Sequence, residues 1–300
     1  MTNLVDNTPR ALGALQVNPL AFGCWRVVGM SATDAQARYE AALDSGMNLI
    51  DTADVYGFDW GGAGFGDAEQ ILGQVLKQSP GLRQRMVLAS KGGIMPGIPY
   101  DSGRLATACE ESLQRLGVEQ LDLYQIHRPD MLSHPQETAR VLEDLRSSGK
   151  VREVGVSNHL ASQVAALMSY LPFPLASQQP EYSALHLDPL FDGIFDQCMR
   201  HQTAALVWSP LAGGRLGDVA GLERDRPQLL NVLRTLSERE GESVATIALA
   251  FALAHPVRPV AIVGTTQPER IVESTQALQV TLDRTDVYNI VQASQGQPLP

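Results

Sequence analysis

Leu121-Asp122-Leu123-Tyr124-Gln125-Ile126-His127 is a short, mostly apolar run that stops on a histidine. A strand covered on both faces shows this near-continuous apolarity, whereas a strand with one wet face alternates. Upstream, Leu105, Cys109, Leu113 and Leu116 recur at helical spacing, with Asp101 or Ser102 available as a cap and Gly117 as a stop. Downstream, a second helix opens at Ser133 with Pro135 in its first turn, turns Val141, Leu142 and Leu145 inward, and ends at Gly149. Helix, buried strand, helix is the repeat of a parallel sheet, because parallel neighbours need crossover connections. The alternation extends both ways through Leu20–Phe22, Met47–Ile50, Met86–Ala89, Val151–Val156, Pro174–Ser177, Ala204–Val207 and Val257–Val263. Asp188-Pro189 opens a third such helix, and a small hairpin around Gly13 precedes the first run. Eight βα units predict a (β/α)8 TIM barrel in preference to a doubly wound sheet, as a single domain over residues 1–300.

The bulk properties suit an enzyme of that kind. A chain of 300 residues with 44% apolar content can bury roughly three quarters of its unfolded surface. The formal charge of -10 would repel a phosphate backbone, which argues against nucleic acid as a partner. Cys24, Cys109 and Cys198 are scattered without a CxxC pair, so neither a disulfide framework nor a zinc site is expected and a reducing cytoplasmic setting fits. The longest apolar run, Val244 to Ala254 broken by Thr246, is too short for a membrane span and reads as a buried helix. Gly213 to Arg226 is the candidate for a long loop over the rim. Oligomeric state is not legible.

Residues suited to chemistry fall where the runs end, at Asp51, Lys91, His127, Ser157, Gln179, Ser209 and Gly264. In a barrel those ends share one rim, where active sites are built. Asp51, Tyr56, Lys91 and His127 come from the ends of the second, third and fourth strands. Carbonyl reduction needs a proton donor, and a free tyrosine, with a pKa of about 10, is a poor one unless a nearby ammonium lowers that value. Lys91 can supply the charge, Asp51 can hold Lys91 in place, and His127 can hydrogen-bond the substrate oxygen. Singly, these residues have ordinary explanations: a helix cap, a loop anchor, a solvated charge and a satisfied strand-end histidine. Their joint placement favours the chemical reading.

Asn48-Leu49-Ile50-Asp51-Thr52-Ala53-Asp54-Val55-Tyr56-Gly57 resembles the aldo-keto reductase signature, and Leu121 to His127 resembles the strand leading to that superfamily's catalytic histidine. Gly149 to Asn158 is similar to its fifth strand, and Ile262-Val263-Gly264 through Arg270 to its segment around the cofactor's adenosine phosphate. The likeness runs from about Leu15 to Ser274 and, through Ile262–Arg270 and His127-Arg128-Pro129-Asp130, is strongest to a bacterial YdhF-like branch of oxidoreductases. It implies reduction of an aldehyde or ketone with NADPH, Tyr56 as general acid, Lys91 and Asp51 tuning it, and His127 positioning the carbonyl. Ser157, Asn158 and Gln179 are then implied as partners of the nicotinamide carboxamide, and Trp208 as the ring stacked on it. Ser209, Leu211 and Gly213 match the loop against the diphosphate, with Arg215 adding charge. Arg270, Thr265 and Thr266 are implied at the 2′-phosphate, next to Gly264, and Glu273 near the adenine. Bound cofactor would therefore be NADPH or NADP+.

Trp25 and Trp60 are expected at the substrate pocket, Trp60 and Phe65 belonging to a Gly-rich insertion over residues 57–66 that follows the tyrosine. That loop lacks both GxGxxG spacing and a GK[ST] ending, so it is not read as a phosphate cradle. Arg128 replaces the aromatic residue usual after the catalytic histidine and would favour an anionic substrate, unless it is tied in a rim salt bridge. Gly264 stands where many relatives carry a lysine, which removes one charge from the phosphate site. His134, His159, His186, His201 and His255 lack metal-ligand spacing. Two other functions remain: a dinucleotide-binding regulatory or sensor barrel with little turnover, and a metal-dependent barrel hydrolase, for which only His127 and Asp51 are suitably placed.

Overall fold

The computed structural model describes residues 2–58, 61–95, 98–99 and 101–298. Trp60 lies outside them. Eight parallel strands close a barrel: β1 (Leu20–Gly23), β2 (Leu49–Asp51), β3 (Val87–Gly92), β4 (Leu121–Ile126), β5 (Val151–Ser157), β6 (Ser177–Gln179), β7 (Ala204–Val207) and β8 (Val260–Val263). Each pairs with its neighbours in chain order, and β8 pairs back onto β1 through Ala261–Leu20 and Val263–Phe22.

Helices α1 (Ala32–Asp44), α2 (Asp67–Gln78), α3 (Ser102–Leu116), α4 (Pro135–Ser147), α5 (Ala161–Met168) and α6 (Ile194–His201) follow successive strands. After β7 come α7 (Val219–Asp225), α8 (Pro227–Glu240) and α9 (Val244–Leu253), and after β8 come α10 (Pro268–Glu273) and α11 (Arg284–Gln295). Local signals explain most boundaries. The Asp101 side chain accepts the Arg104 N–H at the start of α3, and Gly117 ends it at φ 66°. Every residue from Thr246 to Leu253 is buried in α9. No helix among the described residues is long and apolar enough to cross a membrane.

Four local expectations change. The helix expected from Ser133 is capped by His134, whose Nδ1 accepts the Gln136 N–H, while Ser133 Oγ donates to Asp130. Asp188-Pro189 opens a single 3-10 turn, Asp188–Leu190, and the helix starts only at Ile194, after Gly193 takes a left-handed φ of 84°. Residues 213–226 are not a structureless loop: a 3-10 turn, Ala212–Gly217, leads into α7. The sixth strand lies at Ser177–Gln179, sharing only Ser177 with the run Pro174–Ser177 expected to form it.

The barrel interior is stratified. Leu49, Ala89, Leu123, Leu206, Val260 and Ile262 fill its lower half with Leu12, Leu15 and Val17 of the N-terminal hairpin, Arg10–Leu12 and Leu15–Val17. The hairpin thus plugs the end where the strands begin. Two residues farther along, side chains of the same parity point inward again. There Leu49 gives way to Asp51, Ala89 to Lys91 and Leu123 to Gln125, all buried. Register aligns Asp51 with Ala89 and Lys91 with Gln125.

Candidate active site

Lys91, fully buried, spends its three N–H donors within the barrel mouth. Its Nζ donates to Asp51 Oδ2 at 2.7 Å, to the Thr52 carbonyl at 2.9 Å and to Tyr56 Oη at 3.1 Å. The other Asp51 oxygen, Oδ1, accepts from Gln179 Nε2 at 3.1 Å and Gln125 Nε2 at 3.4 Å. Ser177 Oγ in turn donates to Gln125 Oε1 at 3.0 Å. The Ser177 hydroxyl fits only because residue 155 is glycine, since a Cβ there would come 2.0 Å from it. A buried ammonium and carboxylate are each costly alone, but this network pairs them and occupies their remaining hydrogen-bonding capacity.

Burial opposes the Lys91 charge, yet Asp51 and Tyr56 outweigh it and raise the pKa, so Lys91 stays an ammonium. For Tyr56 the balance falls the other way. Burial raises the phenol, Asp51 adds to the rise, and Lys91 pulls down without cancelling them. The expected lowering of the tyrosine pKa is therefore present as a contribution but not as the net direction. His127 sits edge-on to Tyr56, with ring centroids 5.8 Å apart. Burial, then the charges of Lys91 and Arg128, push its pKa well below the usual histidine value, so the imidazole is neutral near pH 7. Its Nδ1 is buried with no hydrogen-bond partner among the described residues.

A second group lies around the ends of β5 to β8. Asn158, held at φ 58°, donates through Nδ2 to the His127 carbonyl at 3.0 Å and to Ser157 Oγ at 3.1 Å. Its Oδ1 accepts from Trp208 Nε1 at 3.1 Å. Ser157 Oγ donates to the Gln179 carbonyl at 2.9 Å. Gln179, implied from resemblance at the carboxamide, thus turns its side-chain amide to Asp51 and links the two groups. Beyond Trp208 the backbone is strained: Ser209 and Ala212 both hold φ at 50°, a conformation that costs non-glycine residues energy and clusters at functional sites. Leu211 is half-buried and Gly213 exposed. Arg215 is exposed, with its Nε bonded to the Ala212 carbonyl.

After β8, Gly264, Thr265 and Thr266 are half-buried, and Arg270 and Glu273 are exposed. No ion pair joins Arg270 to Glu273 or holds Arg128 among the described residues. Arg128 is exposed, and the rim salt bridge allowed for it is not formed among the described residues. Trp25 is 39% exposed at the end of β1. In the Gly-rich insertion, Phe65 packs on Phe58 with centroids 5.0 Å apart, and Gly64 N–H donates to the Gly57 carbonyl.

Three participants escaped the sequence reading. Gln125 and Thr52 stand within the quoted runs Leu121–His127 and Asn48–Gly57 with no role assigned to them. Arg26 donates from Nη1 to the Gly264 carbonyl at 3.1 Å and from Nη2 to the Gly213 carbonyl at 3.2 Å. Its neighbour in sequence, Trp25, was singled out instead.

The donor set on this side suits a nicotinamide dinucleotide: an amide and a hydroxyl at Asn158 and Ser157, an aromatic face at Trp208, and guanidinium groups beside the loops after β7 and β8. No His/Cys/Asp/Glu cluster suited to a metal occurs among the described residues.

Comparison with known proteins gives consistent results. Residues 19–295 match the pattern described as the Aldo/keto reductase family. The chain is 46% identical over 297 residues to a 6-dehydroglucose reductase of Novosphingobium aromaticivorans, covering 97% of each. It is 35% identical to Escherichia coli oxidoreductase YdhF, covering 93% of this chain and 94% of that one. Among solved structures, a glycerol dehydrogenase from Gluconobacter oxydans is similar with a TM-score of 0.81 at 26% identity, covering 98% of both chains.

Proposed function

This chain belongs to the aldo/keto reductase family, and from that premise we propose that it reduces an aldehyde to an alcohol with NADPH, Tyr56 being the proton donor. The observation that carries the reading is the Lys91 ammonium bonded at once to Asp51 and to the Tyr56 hydroxyl. When bound, the cofactor supplies the hydride to the carbonyl carbon. Neutral His127 donates a hydrogen bond to the carbonyl oxygen and orients it. As charge develops on that oxygen, Tyr56 Oη transfers its proton there, and the new tyrosinate is stabilised by Lys91 at 3.1 Å. The raised Tyr56 pKa keeps the phenol protonated until that charge forms. Asp51 holds Lys91 charged and fixed, and Gln125 and Gln179 hold Asp51.

Ser157 and Asn158 would take the carboxamide and Trp208 would cover the nicotinamide ring. Thr265, Thr266 and exposed Arg270 would take the 2′-phosphate, which sets the preference for NADPH. For the substrate, we infer an aldehyde on a hydroxylated carbon chain, of the class that the name 6-dehydroglucose reductase describes in the relative. Trp25 offers an apolar wall, and exposed Arg128 offers N–H donors to hydroxyl or anionic groups.

The test is a panel of 6-dehydroglucose, glyceraldehyde, an aromatic aldehyde and an anionic aldehyde, each with NADPH and with NADH, followed by loss of reduced-cofactor absorbance. The expected outcome is fastest turnover of 6-dehydroglucose with NADPH. Cofactor binding without oxidation across the whole panel would overturn the reading and favour a sensor barrel.

A further inference from the structure

We infer that His159 is a positioning residue for the nicotinamide end of the cofactor, its ring N–H locking Asn158 in the left-handed turn that presents Ser157 and Asn158 to the carboxamide; this rests on the reading that those two residues receive that group. His159 lies in the turn between β5 and α5 and is 6% exposed. Its Nδ1 stands 2.8 Å from the Ser157 carbonyl oxygen. A carbonyl only accepts, so Nδ1 carries the hydrogen. Burial pushes the pKa of the ring down to about 4, against the opposing pull of that bond. Near neutrality the ring is therefore uncharged, with its one hydrogen committed to the Ser157 carbonyl.

That bond closes a ring around Asn158, whose φ of 58° is left-handed. Side chains disfavour this region, and asparagine is among the few that tolerate it. The turn is fastened on both sides: the Asn158 N–H donates to the Gln179 carbonyl at 3.1 Å, while His159 holds the carbonyl just before it. With the backbone fixed in this way, the Asn158 amide reaches the His127 carbonyl, Ser157 Oγ and the Trp208 indole at once. Its Oδ1 keeps a second lone pair for a carboxamide N–H. A right-handed Asn158 would swing the amide away from these partners, so the ring of His159 acts on the site through the backbone of its neighbour.

His159 is itself held from behind. Gln178, buried on β6, donates from Nε2 to the His159 carbonyl at 2.8 Å, and its Oε1 faces Cys198 Sγ of α6 at 3.8 Å. Gln197, also on α6, donates to the Ala161 carbonyl at 3.2 Å. Successive residues of a strand point to opposite faces. One strand thus serves the site twice, with Gln179 turned inward to Asp51 and Gln178 outward to the His159 turn. A phenylalanine at 159 would fill the same space; what it lacks is the N–H, and the buried Ser157 carbonyl would lose that partner.

The test compares NADPH with 2′-phospho-ADP-ribose, which keeps the phosphates and riboses and lacks the nicotinamide. Titration calorimetry measures both in wild type, Asn158→Ala, His159→Phe, His159→Asn and His159→Gln, with far-UV circular dichroism confirming the fold. An asparagine amide nitrogen stands as many bonds from the backbone as Nδ1 of histidine, whereas that of glutamine stands one bond farther. His159→Phe should weaken NADPH roughly two- to tenfold and leave 2′-phospho-ADP-ribose unchanged. His159→Asn should return NADPH to within about twofold of wild type, and His159→Gln should not. The asparagine and glutamine variants carry the same comparison if the phenylalanine variant does not fold. Equal losses of both ligands in His159→Phe, unchanged NADPH binding there, or an asparagine variant no tighter than the glutamine one overturns the positioning role. Asn158→Ala should lower the advantage of NADPH over 2′-phospho-ADP-ribose at least as far as His159→Phe does. If Asn158→Ala leaves that advantage at the wild-type value, the carboxamide reading itself falls and takes the role of His159 with it; if Asn158→Ala lowers it and His159→Phe does not, the role of His159 alone falls.

Discussion

Along β2, β3 and β4, a step of two positions leads from Leu49 to Asp51, from Ala89 to Lys91 and from Leu123 to Gln125. Over that one step the barrel changes from a hydrocarbon core to a hydrogen-bonded ionic network. The lower end is closed by the hairpin, whose Leu12, Leu15 and Val17 complete an apolar cluster. At the upper end, Lys91, Asp51 and Gln125 are buried beside the strained residues Asn158, Ser209 and Ala212. Burial is thus used in two ways. Below, it removes apolar surface from water and supplies stability. Above, it raises the energetic stakes of every polar group, which fixes orientation and shifts proton affinities. Substitutions at the two ends should accordingly separate folding from chemistry.

The sharpest separation is expected from Tyr56→Phe. The ring and its edge-on contact with His127 remain, and Lys91 keeps its bonds to Asp51 and the Thr52 carbonyl. Only the transferable proton is lost. Turnover should fall by about 10²–10⁴-fold, with dinucleotide affinity and the midpoint of denaturation nearly those of wild type. Retention of wild-type turnover would remove Tyr56 from the proposed role.

The converse is Leu12→Ala at the plug. Leu12 is fully buried within the lower cluster, and truncating such a side chain costs about 2–5 kcal/mol. Urea denaturation should show that loss while kcat per folded molecule stays unchanged. A fall in kcat in the folded fraction would mean that the two ends are coupled, contrary to the stratification of the interior.

The same division explains what could be read in advance. Where a strand is mostly apolar, its run marks it: Leu121–Ile126 and Ala204–Val207 have the expected limits. The sixth strand was expected at residues 174–177 and occurs at Ser177–Gln179, because its inward residues serve the polar layer and carry no hydrophobic signal. Gln125 was hidden for the opposite reason, lying inside an apolar run. The residues Asp51, Tyr56, Lys91 and His127 were legible as strand-end chemistry. Arg26 was not, since both its acceptors are backbone carbonyls on distant loops, and no side-chain pattern announces them. The 3-10 turn at Asp188–Leu190 shows that Asp-Pro marks a start without fixing how far the helix continues.

The smallest effect concerns Trp208, which belongs to the upper end but outside its ionic network. Its backbone N–H donates to the Pro180 carbonyl at 3.0 Å, and its carbonyl accepts from the Tyr182 N–H at 3.3 Å, so β7 is extended to carry it. The indole N–H is committed to Asn158 Oδ1 at 3.1 Å. That bond sets the plane of the ring and leaves its π face to stack on a flat heterocycle. Trp208→Ala removes the stack and one partner of Asn158, whereas Trp208→Phe removes only the latter. Aromatic stacking is worth about 0.5–1.5 kcal/mol beyond area burial, or roughly two- to thirteenfold in affinity. The alanine variant should therefore bind NADPH weaker by that factor, with most of the cofactor-induced quench lost and Trp25 and Trp60 as the remaining indoles. The phenylalanine variant should bind within about twofold of wild type if stacking dominates over the Asn158 bond. A quench in Trp208→Ala equal to that of wild type would show that the nicotinamide does not lie against this ring.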